Sequence, residues 1–304
     1  MDSGLDLERA TAWAGEVLGV PVSDVRGLSG GWTSTMLGLT VADGRRAVLR
    51  LMTKEPWRTH ARGLLARESH VQGQLAGSNV PVPRSLALDL TGSVAGDPAH
   101  LMSWLPGSLD LGQAGDEMVG ELARMLATVH AFDPGRDRPR DYQSWAAPAK
   151  RVVPDWARRP ALWQEAFARL GQPAPPHHGT FLHRDFHLGN VLWRPDGGGI
   201  SGVVDWVETS WGPAALDVAH ASTYLAMLHG PHVAQRFTAE YDEQTGDQPP
   251  DPDPLYWQVL DIVGYLPGPT KVVRPWRELG RDVSDELACS RLEGHLALVM
   301  GVGR

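Results

Sequence analysis

Phe181-Leu-His-Arg-Asp-Phe-His-Leu-Gly-Asn-Val-Leu-Trp193, followed by Ile200-Ser-Gly-Val-Val-Asp-Trp206, is the stretch on which the fold turns. It reads H-x-D-x-x-x-x-N, then an apolar run that delivers Asp205 at its end. Asp185 and Asn190 lie close enough in sequence to share one tight loop, and Pro195–Gly199 reads as the turn of a hairpin. Phosphoryl transfer asks for little covalent work from a protein, but it needs an acceptor hydroxyl held in line and metal ions against the phosphate oxygens. One carboxylate for the hydroxyl, with an amide and a second carboxylate for a hard cation, is the smallest set of oxygens that serves. Asp185, Asn190 and Asp205 supply that set.

Upstream of this stretch the chain changes character twice. Leu7, Ala10, Trp13, Ala14, Val17 and Leu18 recur at helical spacing between Asp6, a suitable N-cap, and Gly19, a suitable stop. From Val25 to Met52 short apolar runs alternate with glycine, and Asp43-Gly44 between Leu37–Val41 and Ala47–Met52 signals a two-residue hairpin. His60 to Leu75 has a helical pattern, Pro81 and Pro83 break it, and strands are expected near Ser85–Leu88 and Ala99–Ser103. Beyond Pro106-Gly107, Met118, Leu122, Met125, Leu126 and Val129 mark an amphipathic helix. Helices are also expected at Trp156–Leu170, Pro213–Leu228, Val233–Tyr241, Tyr256–Tyr265 and Asp285–Val299. The expectation is an α+β chain with a small antiparallel-sheet lobe at 1–105 and a larger, mostly helical lobe at 106–304.

In these motifs the sequence resembles the aminoglycoside phosphotransferase and choline kinase superfamily, distant relatives of protein kinases. The resemblance implies a bilobal, protein-kinase-like fold and transfer of the γ-phosphoryl group of ATP to a hydroxyl of a small molecule, with Mg²⁺ and with GTP left open as donor. Asp185 matches the family's catalytic carboxylate, and Asn190 and Asp205 its metal ligands. Leu28-Ser-Gly-Gly-Trp-Thr-Ser-Thr35 looks like the family's nucleotide loop, in which backbone N–H groups of Gly30 and Gly31 approach the triphosphate. Arg50 falls where the phosphate-binding cation is expected, with Glu68 on the next helix as its ion-pair partner. Leu101-Met-Ser-Trp-Leu-Pro-Gly107 looks like the interlobe hinge, whose backbone at Ser103, Trp104 and Leu105 would meet adenine. Gly212-Pro-Ala-Ala-Leu-Asp217 matches the segment after the metal carboxylate, where the acidic residue has a supporting role. Two positions depart from the pattern: Arg50 stands where protein kinases carry Lys, a change of donor geometry, and Arg184 stands where many members have a small residue.

Composition narrows the rest. A 304-residue chain with 42% hydrophobic and 21% charged residues is of ordinary globular type. A formal net charge of −8 argues against a nucleic-acid partner and favours a cationic or neutral acceptor. The single cysteine, Cys289, and the lack of a long apolar run point to a cytoplasmic protein without a membrane span. The acidic stretch Glu240, Asp242, Glu243, Asp247, Asp251, Asp253 and Asp261 suits either a cationic acceptor or a solvated loop. Within the family's range the acceptor is an antibiotic, which would make this a resistance enzyme, or a metabolite such as an amino alcohol or sugar amine. Rival readings are weaker. His183, Asp185 and His187 alternate like metal ligands but the sequence offers no convincing third or fourth partner. Gly27-Leu-Ser-Gly-Gly31 spells G-x-S-x-G, yet a strand rather than a helix follows it. Trp206-Val207 after Asp205 is not Phe-Gly and no Ala-Pro-Glu follows, which disfavours a protein kinase. A nucleotide-binding scaffold without turnover would not need the complete oxygen set.

Overall fold

The structure, a computed structural model, describes residues 6–29, 33–112, 114–246 and 251–302. The α+β arrangement expected from the sequence is the one found, in two compact units: Met1–Gly107 with Ser201–Glu208, and Ser108–Ile200 with Thr209–Arg304.

The first unit opens with α1 (Leu7–Leu18), where the Asp6 carboxylate accepts from Arg9 N–H and Gly19 closes the helix at φ 72°. Strands β1 (Val22–Gly27), β2 (Thr35–Val41), β3 (Arg46–Leu51), β4 (Ser85–Asp89) and β5 (Ala99–Ser103) form an antiparallel sheet in the order β1-β2-β3-β5-β4, with α2 (Trp57–Gln74) between β3 and β4. Strand alternation sorts the side chains. Leu37, Leu39, Leu49, Leu51, Ala99 and Leu101 share one face and pack on Ala10, Trp13 and Ala14 of α1. The other face carries Arg50, registered opposite His100. Helix α2 begins at Trp57, directly after Pro56, which is earlier than the expected His60.

The second unit is mostly helical: α3 (Asp116–His130), α4 (Pro160–Leu170), α5 (Ala215–His229), α6 (Pro231–Thr245), α7 (Pro254–Gly264), α8 (Thr270–Glu278) and α9 (Asp285–Val299). Helix α5 is buried almost all round, from Leu216 to Leu228, and packs against α6, α7 and α9. A helix apolar on every side belongs at a centre, and here that centre carries His220. Short strands β6 (Thr180–Leu182), β7 (Val191–Trp193), β8 (Ile200–Val203) and β9 (Ser210–Gly212) frame the decisive loop, with β6 antiparallel to β9. Helix α4 starts at Pro160, a residue suited to a first helical turn, and not at Trp156. Among the described residues no helix is long and apolar enough to cross a membrane.

Candidate active site

The loop that follows β6 is held from behind by one buried carboxylate. Asp217, in the first turn of α5, accepts from the N–H of His183 at 2.7 Å and of Arg184 at 2.8 Å, and lies 3.3 Å from His130 Nε2. Asp217 therefore serves the loop and does not cap its own helix, whose N-cap is Ala214. Burial alone would raise its carboxyl, but the His130 hydrogen bond and charge, with Arg184 and His183, hold it below the usual range. Arg184 adopts φ 72°, a left-handed conformation rare outside glycine. Its guanidinium lies over the Trp145 ring at 4.2 Å and donates to the Gln143 carbonyl, so the loop and residues 143–145 are tied together. His183 is fully buried, and its Nδ1 accepts from Asp185 N–H at 3.2 Å, propping the loop.

Asp185 keeps 32% of its side chain exposed. Asn190 closes the loop: its Nδ2 donates to the Asp185 carbonyl at 2.9 Å and to Asp185 Oδ2 at 3.0 Å. With its N–H groups spent on Asp185, the amide oxygen is the atom Asn190 has left for a cation. The other carboxylate oxygen, Oδ1, faces two imidazoles, His187 Nε2 at 3.4 Å and His220 Nε2 at 3.2 Å. Burial would push the Asp185 carboxyl up, but the charges and hydrogen bonds of His187 and His220 bring it well below the ordinary carboxylate value. His220 Nδ1 in turn meets Asp261 Oδ1 at 3.0 Å.

Asp185, His187 and His220 lie close enough to hold a metal ion, their candidate ligand atoms all within 4.8 Å of one another. His220 is the third partner that the alternation His183, Asp185, His187 did not reveal. Hydrogen bonding argues against a zinc site all the same. His187 Nδ1 accepts from Gly189 N–H at 3.0 Å, so a neutral His187 carries its proton on Nε2, the atom that would have to bind the metal. The ring is a donor to Asp185.

The first unit holds a second cluster. Arg50 NH2 pairs with Glu68 Oε1 at 3.2 Å and Arg50 NH1 with Asp205 Oδ1 at 3.1 Å, the arginine 5% and the glutamate 0% exposed. Burial would lower the Arg50 guanidinium, but the charges of Asp205 and Glu68 raise it. Burial would raise Glu68, and the Arg50 charge with a His100 hydrogen bond lowers it. His100, not singled out in the sequence, bonds Glu68 Oε2 and Ser85 Oγ, both at 2.9 Å. Asp205 sits at φ 67°, the second non-glycine residue in the left-handed region. Amide and carboxylate oxygens at Asn190 and Asp205 are the hard donors that Mg²⁺ prefers.

Gly30 and Gly31 lie outside the described residues. Around them, Leu28 N–H donates to the Met36 carbonyl and Thr35 Oγ1 lies 2.8 Å from Thr53 Oγ1. At Ser103–Leu105, Ser103 exchanges two hydrogen bonds with the Arg84 backbone. Trp104 is flanked by the guanidinium groups of Arg26 at 4.9 Å and Arg46 at 4.4 Å. In the acidic stretch, Asp251 accepts from the N–H of His178 and Ala215, Asp253 caps α7 and pairs with Arg169, and Asp261 holds His220. Those three are used inside the fold; Asp242 and Glu243 are exposed, and Asp247 lies outside the described residues.

The model of the phosphotransferase enzyme family matches residues 24–256. Among curated proteins the chain is similar to acyl-CoA dehydrogenase family member 10 of Mus musculus, 27% identical over 181 residues that cover 52% of this chain and 16% of that protein. The chain thus spans a minor part of that relative's length. Among solved structures it is similar to a putative aminoglycoside phosphotransferase of Ralstonia eutropha JMP134, with 20% identity, TM-score 0.63 and coverage of 97% and 96% of the two chains. It is likewise similar to a thermostable mutant of aminoglycoside phosphotransferase APH(4)-Ia in ternary complex with AMP-PNP and hygromycin B, with 18% identity, TM-score 0.65 and coverage of 97% and 99%.

Proposed function

The chain belongs to the phosphotransferase enzyme family, and from that premise we propose that it moves the γ-phosphoryl group of ATP to a small-molecule hydroxyl that faces Asp185. The observation that carries this reading is the Asp185–Asn190 loop, a carboxylate gripped through Oδ2 by the very amide whose oxygen suits a cation. The acceptor oxygen bonds to the γ-phosphorus, the bridging bond to the β-phosphate oxygen breaks, and ADP leaves. The hydroxyl proton passes to Asp185 and then to solvent. A carboxylate held below its ordinary pKa is a weak base, so Asp185 works mainly by orienting the hydroxyl and takes the proton late, when bond formation has acidified it. A loose transition state demands no more.

The remaining roles follow the sequence motif. Asn190 and Asp205 would hold Mg²⁺, which neutralises the phosphate oxygens when bound. Arg50 steadies phosphate, Glu68 orients Arg50, the backbone at Gly30 and Gly31 approaches the triphosphate, and that at Ser103, Trp104 and Leu105 meets adenine. Residues 1–105 then serve the nucleotide, and 106–304 the catalytic loop and the acceptor. The acceptor is an antibiotic such as an aminoglycoside, with resistance in the cytoplasm as the consequence, or an amino alcohol or sugar amine. The test is Mg²⁺-dependent ADP release from ATP and GTP across aminoglycosides, macrolides and amino alcohols, with Asp185→Ala as control. Acceptor-stimulated turnover lost in the control supports the reading. Tight Mg²⁺-ATP binding without turnover for any acceptor would replace it with a nucleotide-binding scaffold.

A further inference from the structure

The family's reaction needs an ionised carboxylate at Asp185, but it does not require that two rings and a second carboxylate stand behind it. His220, on α5, lies between Asp185 Oδ1 at 3.2 Å and Asp261 Oδ1 at 3.0 Å. Each ring nitrogen faces a carboxylate, and a carboxylate only accepts, so both nitrogens carry protons. The ring cannot swing away easily: Tyr265 stacks on it at 6.0 Å and 13°, and Trp145, pinned by Arg184, meets it edge-on at 5.2 Å.

We propose that the His220–Asp261 pair is the positioning device of the phosphotransferase site, fixing the rotamer of the Asp185 carboxylate so that its remaining lone pair points at the acceptor hydroxyl. A carboxylate has about four lone-pair sites. Asn190 occupies one on Oδ2, and His187 and His220 face Oδ1. Roughly one site is then left for a hydroxyl, by the same arithmetic. Asp261 anchors the ring from α7, so His220 presents its Nε2–H to Asp185 in one orientation. The pair acts through Asp185 and touches no reacting atom. This inference rests on the reading of Asp185 as the residue that faces the acceptor.

Two substitutions separate positioning from mere attachment of α5 to α7. His220→Gln places an amide N–H near the position of the ring Nε2, toward Asp185; His220→Asn places one near Nδ1, toward Asp261. Turnover is read as ADP release with hygromycin B, erythromycin and ethanolamine as acceptors, and thermal unfolding is read in parallel. His220→Asn should lose kcat on the order of 100-fold, the scale of a small misplacement of a reacting group, with KM for Mg²⁺-ATP and the melting temperature close to wild type. His220→Gln should recover about tenfold of that loss, as one restored donor allows. Equal losses in both variants that track their melting temperatures, or full activity in His220→Asn, would overturn the proposal. If the wild-type chain binds Mg²⁺-ATP tightly but turns over no acceptor of the wider panel, the phosphotransferase reading is what has failed, and the pair is judged by nitrogen NMR of the histidine rings. His220 should show two protonated nitrogens at pH 7.5 and titrate at lower pH in Asp185→Asn; a neutral ring, or a titration indifferent to Asp185, overturns the contact itself.

Discussion

Asp205 and Asp185, one in each unit, are both carboxylates paired with a cation, yet their settings differ in what surrounds the pair. Asp205 shares an arginine that is 5% exposed and permanently charged, clamped by a fully buried glutamate and backed by paired strands. Asp185 keeps 32% exposure and is held by imidazoles and an amide from a loop and a helix. The first arrangement turns on an arginine that stays charged and that, with Glu68, is shielded from water. The second holds a carboxylate of similar exposure, 32% against the 24% of Asp205, by imidazole and amide donors in place of a buried arginine. Under the proposed function, the first would grip a phosphate and the second would meet the acceptor hydroxyl.

The comparison is broken most directly at Asp185. Asp185→Ala should reduce turnover by about 10²- to 10⁴-fold, the range of a lost acid–base group, while Mg²⁺-ATP affinity by calorimetry stays near wild type. A variant that still turns over would mean the exposed carboxylate is not the working one. The first unit should respond in the opposite currency, stability. Glu68→Ala leaves Arg50 and His100 buried without their shared partner and should cost about 3–5 kcal/mol in denaturant unfolding, as expected when one side of a buried ion pair is removed. A loss below about 1 kcal/mol would show the cluster to be solvated like a surface pair.

Asp205→Ala sharpens the contrast with a smaller effect. Asp205 is 24% exposed and one of two partners of Arg50, so its loss should cost less stability than that of Glu68. Mg²⁺-dependent nucleotide affinity should fall roughly tenfold or more, the size of one lost charge-assisted contact. Unchanged affinity by calorimetry would remove Asp205 from the metal set.

What could be read in the sequence was what chemistry or geometry compresses into a short span. Asp185, Asn190 and Asp205 sit in one motif; Gly19 and Asp43-Gly44 are local turn signals that need no tertiary information. The Arg50–Glu68 pair was anticipated by position, and the structure adds His100, opposite Arg50 on the next strand. His220 is not singled out by the sequence, and Asp261 reads only as part of the acidic stretch, because His220 joins Asp185 from 35 residues along the chain and Asp261 joins His220 from 41 further on. His220 lies in a helix whose apolar surround reads simply as core, and Asp261 in a stretch that reads as solvated acid. Helix α8 is not among the expected helices for a different reason: Val272, Val273 and Trp276 do set an apolar side against Lys271, Arg274, Arg277 and Glu278, but the helix is only nine residues long and Pro275 lies inside it.

The smallest expected effect tests whether the rings of the second unit are tuned by their surroundings one at a time. His295, on α9, is 3% exposed, and neither ring nitrogen has a hydrogen-bond partner among the described residues. Burial pushes its pKa down to about 4, against the upward pull of Asp261, whereas His220, facing two carboxylates, is pushed up to about 10 although burial acts against it. The signs are opposite. His220 contributes stability that is complete below its unfolded value near 6.5 and lost as pH rises toward 10. His295 stays neutral in the fold while the unfolded chain gains a proton below about 6.5, so it costs stability as pH falls from there toward 4. His295→Leu removes two unpartnered polar atoms and that acid-side cost together. It should raise the melting temperature slightly at pH 8, by an amount equivalent to about 1 kcal/mol, and by more at pH 5. An equal shift at both values would mean that the ring gains its proton inside the fold as readily as in the unfolded chain, so that burial does not set its titration.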